Sequence, residues 1–122
     1  MKKRPIRTTG ELTEIITKAV PRTGRLHPAT KTFMALRIYT NQELENLELI
    51  LGSLEKILAP AGRAAIISYH SLEDRLVKNY FRKYVQSGQV ELLTKKPIIP
   101  TTQETRENPR SRSAKLRALK FK

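Results

Sequence analysis

This sequence predicts an α/β fold, the closing part of an open sheet, and three observations predict it. Ala64-Ala65-Ile66-Ile67-Ser68-Tyr69 is a short run that is apolar on both faces, the pattern of a strand covered by helices above and below and flanked by other strands. The run ends in a polar, titratable cluster, His70-Ser71-Leu72-Glu73-Asp74-Arg75, and a helical pattern starts at once. Open α/β sheets deliver side chains to a cleft at the carboxyl end of a parallel strand in this way. Finally, the patterns run helix, helix, helix, strand, helix, strand, strand. No full helix separates the last two strands, so they are expected to pair antiparallel.

Thr8 and Glu11 form a capping box, and Leu12, Ile15, Ile16, Ala19 and Val20 keep helical spacing until Pro21 stops the first helix. A basic connector with Gly24 leads to Pro28, a residue suited to a first helical position. Phe33, Leu36, Met34 and Ile38 give the second helix its apolar face. Thr40 or Asn41 is expected to cap the third, whose stripe is Leu44, Leu47, Leu51, Leu54 and Leu58, joined by Ile50 and Ile57. Ala59-Pro60-Ala61-Gly62 ends it. The strand is expected over Arg63–Tyr69, and Ser71 is expected to cap the following helix with Asp74 at its third position. That helix runs to about Val85, and Gly88 turns the chain. Val90–Thr94 reads as a short strand. The polar connector Lys95–Ser113 contains a short helix after Thr101 or Thr102. Ala114–Phe121 alternates apolar residues with Lys and Arg, which fits an edge strand with one wet, basic face.

The 122 residues suit one small domain, and a hydrophobic content of 39% is low for a globular chain but above the disordered range. There is no cysteine, which excludes a disulfide framework and any thiolate metal site. No apolar segment approaches the roughly 20 residues of a membrane helix. Met1-Lys2-Lys3-Arg4 is followed by Pro5-Ile6-Arg7 rather than by the apolar core of a signal peptide. A cytoplasmic protein with no membrane partner is the expectation.

The net charge is +13, and its placement is uneven. Residues 1–31 carry eight Lys/Arg against two Glu, residues 32–94 carry seven of each sign, and residues 95–122 carry nine Lys/Arg against two Glu. A balanced middle with two basic flanks points to a polyanionic partner, most often nucleic acid. The simpler alternative is a solvated basic surface.

Three segments carry chemistry. His27-Pro28-Ala29-Thr30 places a histidine just before a helix start, where free amides attract anions, with Arg22, Arg25 and Lys31 nearby. Capping of its own helix is the competing role. His70 and Glu73 suit a cleft wall that hydrogen-bonds a substrate, against a purely structural strand-to-helix cap. His70 and Ser71 are adjacent and so poorly placed to share a proton. Two histidines 43 residues apart make no metal-ligand pattern. Arg110, Arg112, Lys115 and Arg117 alternate with small residues and suit phosphate contacts, although only Phe121 is near for base stacking. Gly10, Gly24, Gly52, Gly62 and Gly88 form no glycine-rich strand-to-helix loop, so there is no fingerprint of a nucleoside cofactor.

Leu58-Ala59-Pro60-Ala61-Gly62-Arg63 before an apolar strand resembles the late-strand signature of Rossmann-like S-adenosylmethionine-dependent methyltransferases. Three longer motifs resemble one family among them, the bacterial small-subunit (16S) ribosomal RNA cytosine-N-methyltransferases. These are His27-Pro28-Ala29-Thr30-Lys31-Thr32-Phe33 with Ala35-Leu36-Arg37-Ile38, then Ser68–Arg75, then Asn108–Arg117. The motifs lie in order over nearly the whole chain. The resemblance implies a Rossmann-like methyltransferase domain interrupted by a helical insertion. Residues 1–26 would be the end of the insertion and 27–122 the C-terminal portion of the catalytic domain. It also implies S-adenosylmethionine as cofactor of the intact enzyme, small-subunit ribosomal RNA as partner, and the exocyclic amine of a cytosine as methyl acceptor.

Ala61 departs from the Pro-Gly-Gly turn usual in these enzymes, and the cofactor loop and reactive motif are not in this sequence. The expectation is a segment with no identifiable catalytic residue, no cofactor binding and no activity alone, self-associating through unpaired sheet edges. Its RNA contacts would come from His27, Thr30, Arg37, Arg75, Arg110, Arg112, Lys115 and Arg117. A stand-alone basic RNA- or ribosome-binding module without catalysis is the alternative.

Overall fold

A computed structural model describes residues 5–122; the basic start Met1–Arg4 lies outside the described residues. The chain forms two compact units, one ending at Gln42 and one spanning Glu43–Lys122.

The first unit is a helix pair. Helix α1 (Thr9–Ala19) starts close to its expected capping box: Thr8 Oγ1 accepts the Glu11 amide at 3.1 Å, but Glu11 Oε2 reaches past the Thr8 cap to accept the Arg7 amide at 2.9 Å. Val20, before Pro21, is already extended. Helix α2 (Ala29–Asn41) follows Pro28 and ends at Gln42, which takes a left-handed conformation at φ 51°. Ile16 and Ala29 are the buried residues of the pair.

The second unit begins with α3 (Glu43–Ile57), one to two residues later than a cap at Thr40 or Asn41 would place it. Leu51 and Leu54 are buried, with Leu47 and Leu58 partly so. Ile50 and Ile57, expected to join this stripe, are 54% and 65% exposed. Each precedes a stripe residue by one position, which rotates it about 100° off the buried face. The turn after α3 closes with the Gly62 amide donating to the Ala59 carbonyl at 2.8 Å. A Cβ on Gly62 would stand 2.6 Å from that carbonyl oxygen, so glycine is required there. Ala61 sits at φ 62°, a conformation that favours glycine.

Strand β1 (Arg63–Ser68) leads through Tyr69 and His70 into α4 (Ser71–Gln86), then β2 (Val90–Leu92). The connector holds the expected short helix, α5 (Thr102–Glu107), with Thr101 Oγ1 accepting the Glu104 amide at 3.1 Å. A 3-10 turn (Pro109–Ser113) precedes β3 (Lys115–Phe121). The last two strands pair antiparallel as expected, but β3 is not at an edge. The strand order is β1-β3-β2, with β3 antiparallel to both neighbours. Nor does β3 have one basic face. Its alternation breaks at Ala118-Leu119, so Lys115 and Arg117 share a face with Leu119 and Phe121, while Lys120 lies on the other.

Helix α4 covers one face of this sheet. Val77, Phe81 and Tyr84 pack with Leu51, Leu54, Val90, Leu119 and Phe121. Tyr84 meets Phe121 edge-on at 5.4 Å, and its hydroxyl donates to the Leu51 carbonyl at 2.7 Å. The opposite face carries Ala65, Ile67, Leu116 and Ala118, with Ile98 bridged to Leu116. Ile67 and Ile98 are 53% and 58% exposed there. The strand that reads as apolar on both faces is thus covered on one. Its outer edge pairs with no strand among the described residues.

Ala61→Gly is expected to stabilise the chain by about 0.5–1 kcal/mol, the left-handed penalty less the extra entropy of glycine. Gly62→Ala is expected to destabilise it, because the obstructing atom is backbone. Urea unfolding midpoints check both; a lower midpoint for Ala61→Gly would refute the strain argument.

Candidate nucleic-acid interface

In the first unit, α1, the connector and α2 bring three of the expected RNA-contacting residues to one open cavity of about 610 Å³. His27, Thr30 and Arg37 line it with Thr13, Phe33 and Met34. The reason is helical spacing: Thr30, Phe33, Met34 and Arg37 stand at i, i+3, i+4 and i+7, one face of α2. Phe33 and Met34, expected on an apolar packing face, both line this cavity. Arg37 on that face is the signal that could have shown it. His27 Nδ1 accepts the Ala29 amide at 3.1 Å, and the His27 carbonyl accepts the Thr30 amide at 3.0 Å. The His27 ring thus holds the first amide of α2 from one residue ahead of the Pro28 N-cap, which leaves Nε2 as the atom for an outside partner. It also borders a second cavity of about 220 Å³ with Arg25 and Lys31. A cavity with a cation, hydroxyls, an imidazole and an aromatic ring is chemically suited to a phosphate and the base attached to it.

In the second unit the helix cap after β1 differs from expectation. The N-cap of α4 is His70 rather than Ser71. His70 Nδ1 accepts the Glu73 amide at 3.3 Å, and Glu73 Oε2 accepts the Tyr69 amide at 2.9 Å. Histidine is not a favoured cap residue, whereas serine is, and preference alone places the cap one residue late. His70 and Glu73 thus hold backbone amides in place, with side chains 6% and 20% exposed. They join Glu43 in a group whose ligand-type atoms lie within 4.8 Å of one another. The hydrogen bonding argues against a metal there. With Nδ1 accepting, the ring proton sits on Nε2, which faces Glu73 Oε1 at 3.4 Å as a donor. That contact is too poorly aligned to count as a hydrogen bond, and Nε2 has no other partner among the described residues.

With the cap at His70, Asp74 is the fourth residue of α4, and its carboxylate meets the sheet. Arg117 Nε and Nη2 donate to its two carboxylate oxygens at 2.7 and 3.1 Å, and Lys115 Nζ lies 3.8 Å away. The Arg117 hydrogen bonds hold the Asp74 carboxyl below the usual carboxylate range against the opposing effect of burial, and the charges of Arg117, Lys115 and Lys78 add to this. Of the expected phosphate-contacting cations, Arg117 is thus committed to α4 and Lys115 shares that carboxylate. Arg75 on α4 and Arg110 and Arg112 in the 3-10 turn are exposed.

The MraW methylase family model matches residues 1–122. The chain belongs to the MraW methylase family. It is similar to proteins named ribosomal RNA small subunit methyltransferase H. The one from Coprothermobacter proteolyticus is 50% identical over 119 residues, covering 98% of this chain and 40% of that protein. The one from Nostoc sp. is 56% identical over 120 residues, 96% of this chain and 39% of that protein. The Leptospira borgpetersenii protein is 55% identical over 116 residues, 92% and 36%. The chain spans about two fifths of the length of these MraW-family relatives.

The residues present do not fit an S-adenosylmethionine site. The strand-to-helix connection after β1 is Tyr69-His70, without glycine, and Gly62 serves a tight turn. No helix of the described residues is long and apolar enough to cross a membrane.

Because Asp74 titrates lower in the folded chain than in the unfolded one, its contribution to stability is complete above about pH 4–5. It is lost as pH falls through the folded value. Asp74→Asn is expected to lower stability at pH 7 by roughly 1.5–3 kcal/mol, the range for a charge-assisted hydrogen bond. It should also flatten the stability decline below pH 4. An unchanged acid limb of urea midpoints against pH would refute the assignment.

Proposed function

We propose that this chain is the C-terminal portion of an S-adenosylmethionine-dependent methyltransferase that modifies the exocyclic amine of a cytosine in small-subunit ribosomal RNA. The observation that carries the reading is the 50–56% identity over at least 92% of the chain to relatives named as ribosomal RNA small subunit methyltransferases. In this reading residues 1–26 end a helical insertion and residues 27–122 close a Rossmann-like catalytic domain. The open edge and bare face of β1 support it, because a strand apolar on both faces needs parallel neighbours and a second helical layer. S-adenosylmethionine belongs to the intact enzyme, and the segment here contributes RNA contacts through His27, Thr30 and Arg37 at the α2 cavity, with Arg75, Arg110 and Arg112.

A second reading, a basic RNA-binding module without catalysis, is favoured by one specific observation. The α2 cavity lies wholly within the first unit and needs no cofactor.

Calorimetric titration of the 122-residue chain with S-adenosylmethionine, with and without a cytosine-bearing ribosomal RNA fragment, tests these readings. No cofactor heat and no methyl transfer are expected, with RNA heat retained. Saturable one-to-one cofactor binding or methyl turnover would overturn the reading of an inactive portion. Light scattering is expected to give a mass above the 14.0 kDa of one chain. Ile67→Glu, which places a charge on the bare face of β1, should return it toward the monomer value. A monomeric unaltered chain would sink the self-association.

A further inference from the structure

A second basic site lies in the Glu43–Lys122 unit, apart from every residue assigned above to RNA contact except the paired Arg117. Helix α4 and the chain leaving β2 enclose a groove of about 200 Å³, walled by Lys78, Arg82, Lys95 and Arg117 over an apolar floor that includes Phe81 and Leu92. No carboxylate lines it among the described residues. Asp74 is held by two hydrogen bonds from Arg117 and feels the charge of Lys78 as well, but it does not line the groove, where Lys78, Arg82 and Lys95 are all exposed. Lys78 and Arg82 stand at i and i+4 on one face of α4, so two cations lie side by side along the groove. Lys83, between them and Val85 in sequence, is turned away over the Tyr80 ring at 4.8 Å.

The dimensions select the ligand. A volume of about 200 Å³ is below the roughly 300 Å³ at which pockets for small molecules and cofactors begin. The one aromatic ring, Phe81, is 3% exposed and offers no face for stacking a base. What fits is a phosphate group approached by several cations. The groove adjoins β2, at the end of the β1-β3-β2 sheet opposite the open edge of β1, so strands joining β1 would leave it uncovered.

We propose that this groove is a phosphodiester-binding site that grips the RNA backbone by charge, without selecting a base. It rests on the reading of the chain as RNA-binding and adds a contact surface in the second unit. The test is fluorescence anisotropy of a labelled single-stranded ribosomal RNA fragment with the full chain at several salt concentrations. The triple variant Lys78→Gln, Arg82→Gln, Lys95→Gln changes only exposed residues. It is compared with Lys18→Gln, Lys56→Gln, Lys122→Gln, which removes the same charge elsewhere.

The groove variant is expected to weaken binding on the order of tenfold and to reduce the log–log salt slope by about 0.7 for every phosphate that is no longer neutralised. The control should keep the slope of the unaltered chain, and Lys78→Arg with Lys95→Arg should retain binding. Equal losses in groove and control variants would mean net charge alone and overturn the site, as would an unchanged slope in the groove variant. Displacement of RNA by a polyaspartate peptide at equal charge concentration would overturn it in favour of an acidic protein partner. If the unaltered chain fails to bind RNA, the RNA reading itself falls; if it binds and the groove variant binds equally, only the groove does.

Discussion

The second unit depends on which residues of β3 face α4. Antiparallel pairing on both sides fixes that strand's register, and the register puts Leu119 and Phe121 into the core. Because alternate residues share a face, Arg117 and Lys115 are carried to the same side. A guanidinium at that depth is costly without a partner, and Asp74 supplies one with two hydrogen bonds. Asp74 stands in the first turns of α4, directly after the cap that His70 makes and that Glu73 closes onto Tyr69. Cap, ion pair and core are therefore one arrangement. Removing the Asp74 carboxylate would leave Arg117 buried without its counter-charge.

This dependence explains what is legible in the sequence. The element order, the Thr8 cap, the Leu51–Leu54 stripe and the short helix after Thr101 follow from local rules of spacing and capping, and the structure has them. The misplacements have different causes. Ile50 and Ile57 are rotated off the buried face by helical geometry itself, Ser71 cedes the cap to its neighbour His70, and β3 as an edge with one basic face rests on a local pattern that pairing on both sides overrides. Nothing within residues 114–121 reveals that strands lie on both sides, and the break in alternation at Ala118-Leu119 is the only internal trace of it. At the site, His27, Thr30 and Arg37 are legible as separate residues. That Phe33 and Met34 stand between them follows only once Arg37 is accepted as part of the same helical face.

The turn before β1 shows the same tension between local and distant demands. Gly62 is required because a Cβ would meet the Ala59 carbonyl, whereas Ala61 tolerates a left-handed backbone that a glycine would hold more easily. Of the two turn positions, Ala61 is thus the one where a side chain brings steric strain and not an absolute block.

The two proposed roles of the chain make opposite demands on its surface. A portion of a larger catalytic domain must leave apolar surface and backbone groups bare where the rest of the fold docks, while a self-sufficient module should bury them or guard them with charge. Along β1 the middle residues are Ala64, Ala65, Ile66 and Ile67, with no charge, proline or bulge to discourage pairing, and the outward face continues through Leu116 to the exposed Ile98. The cations gather elsewhere, on α2, on the 3-10 turn and beside β2. Within the second unit, cations thus stand on the 3-10 turn and beside β2, while the middle of the β1 edge carries none. That division favours the portion of an enzyme over the independent module.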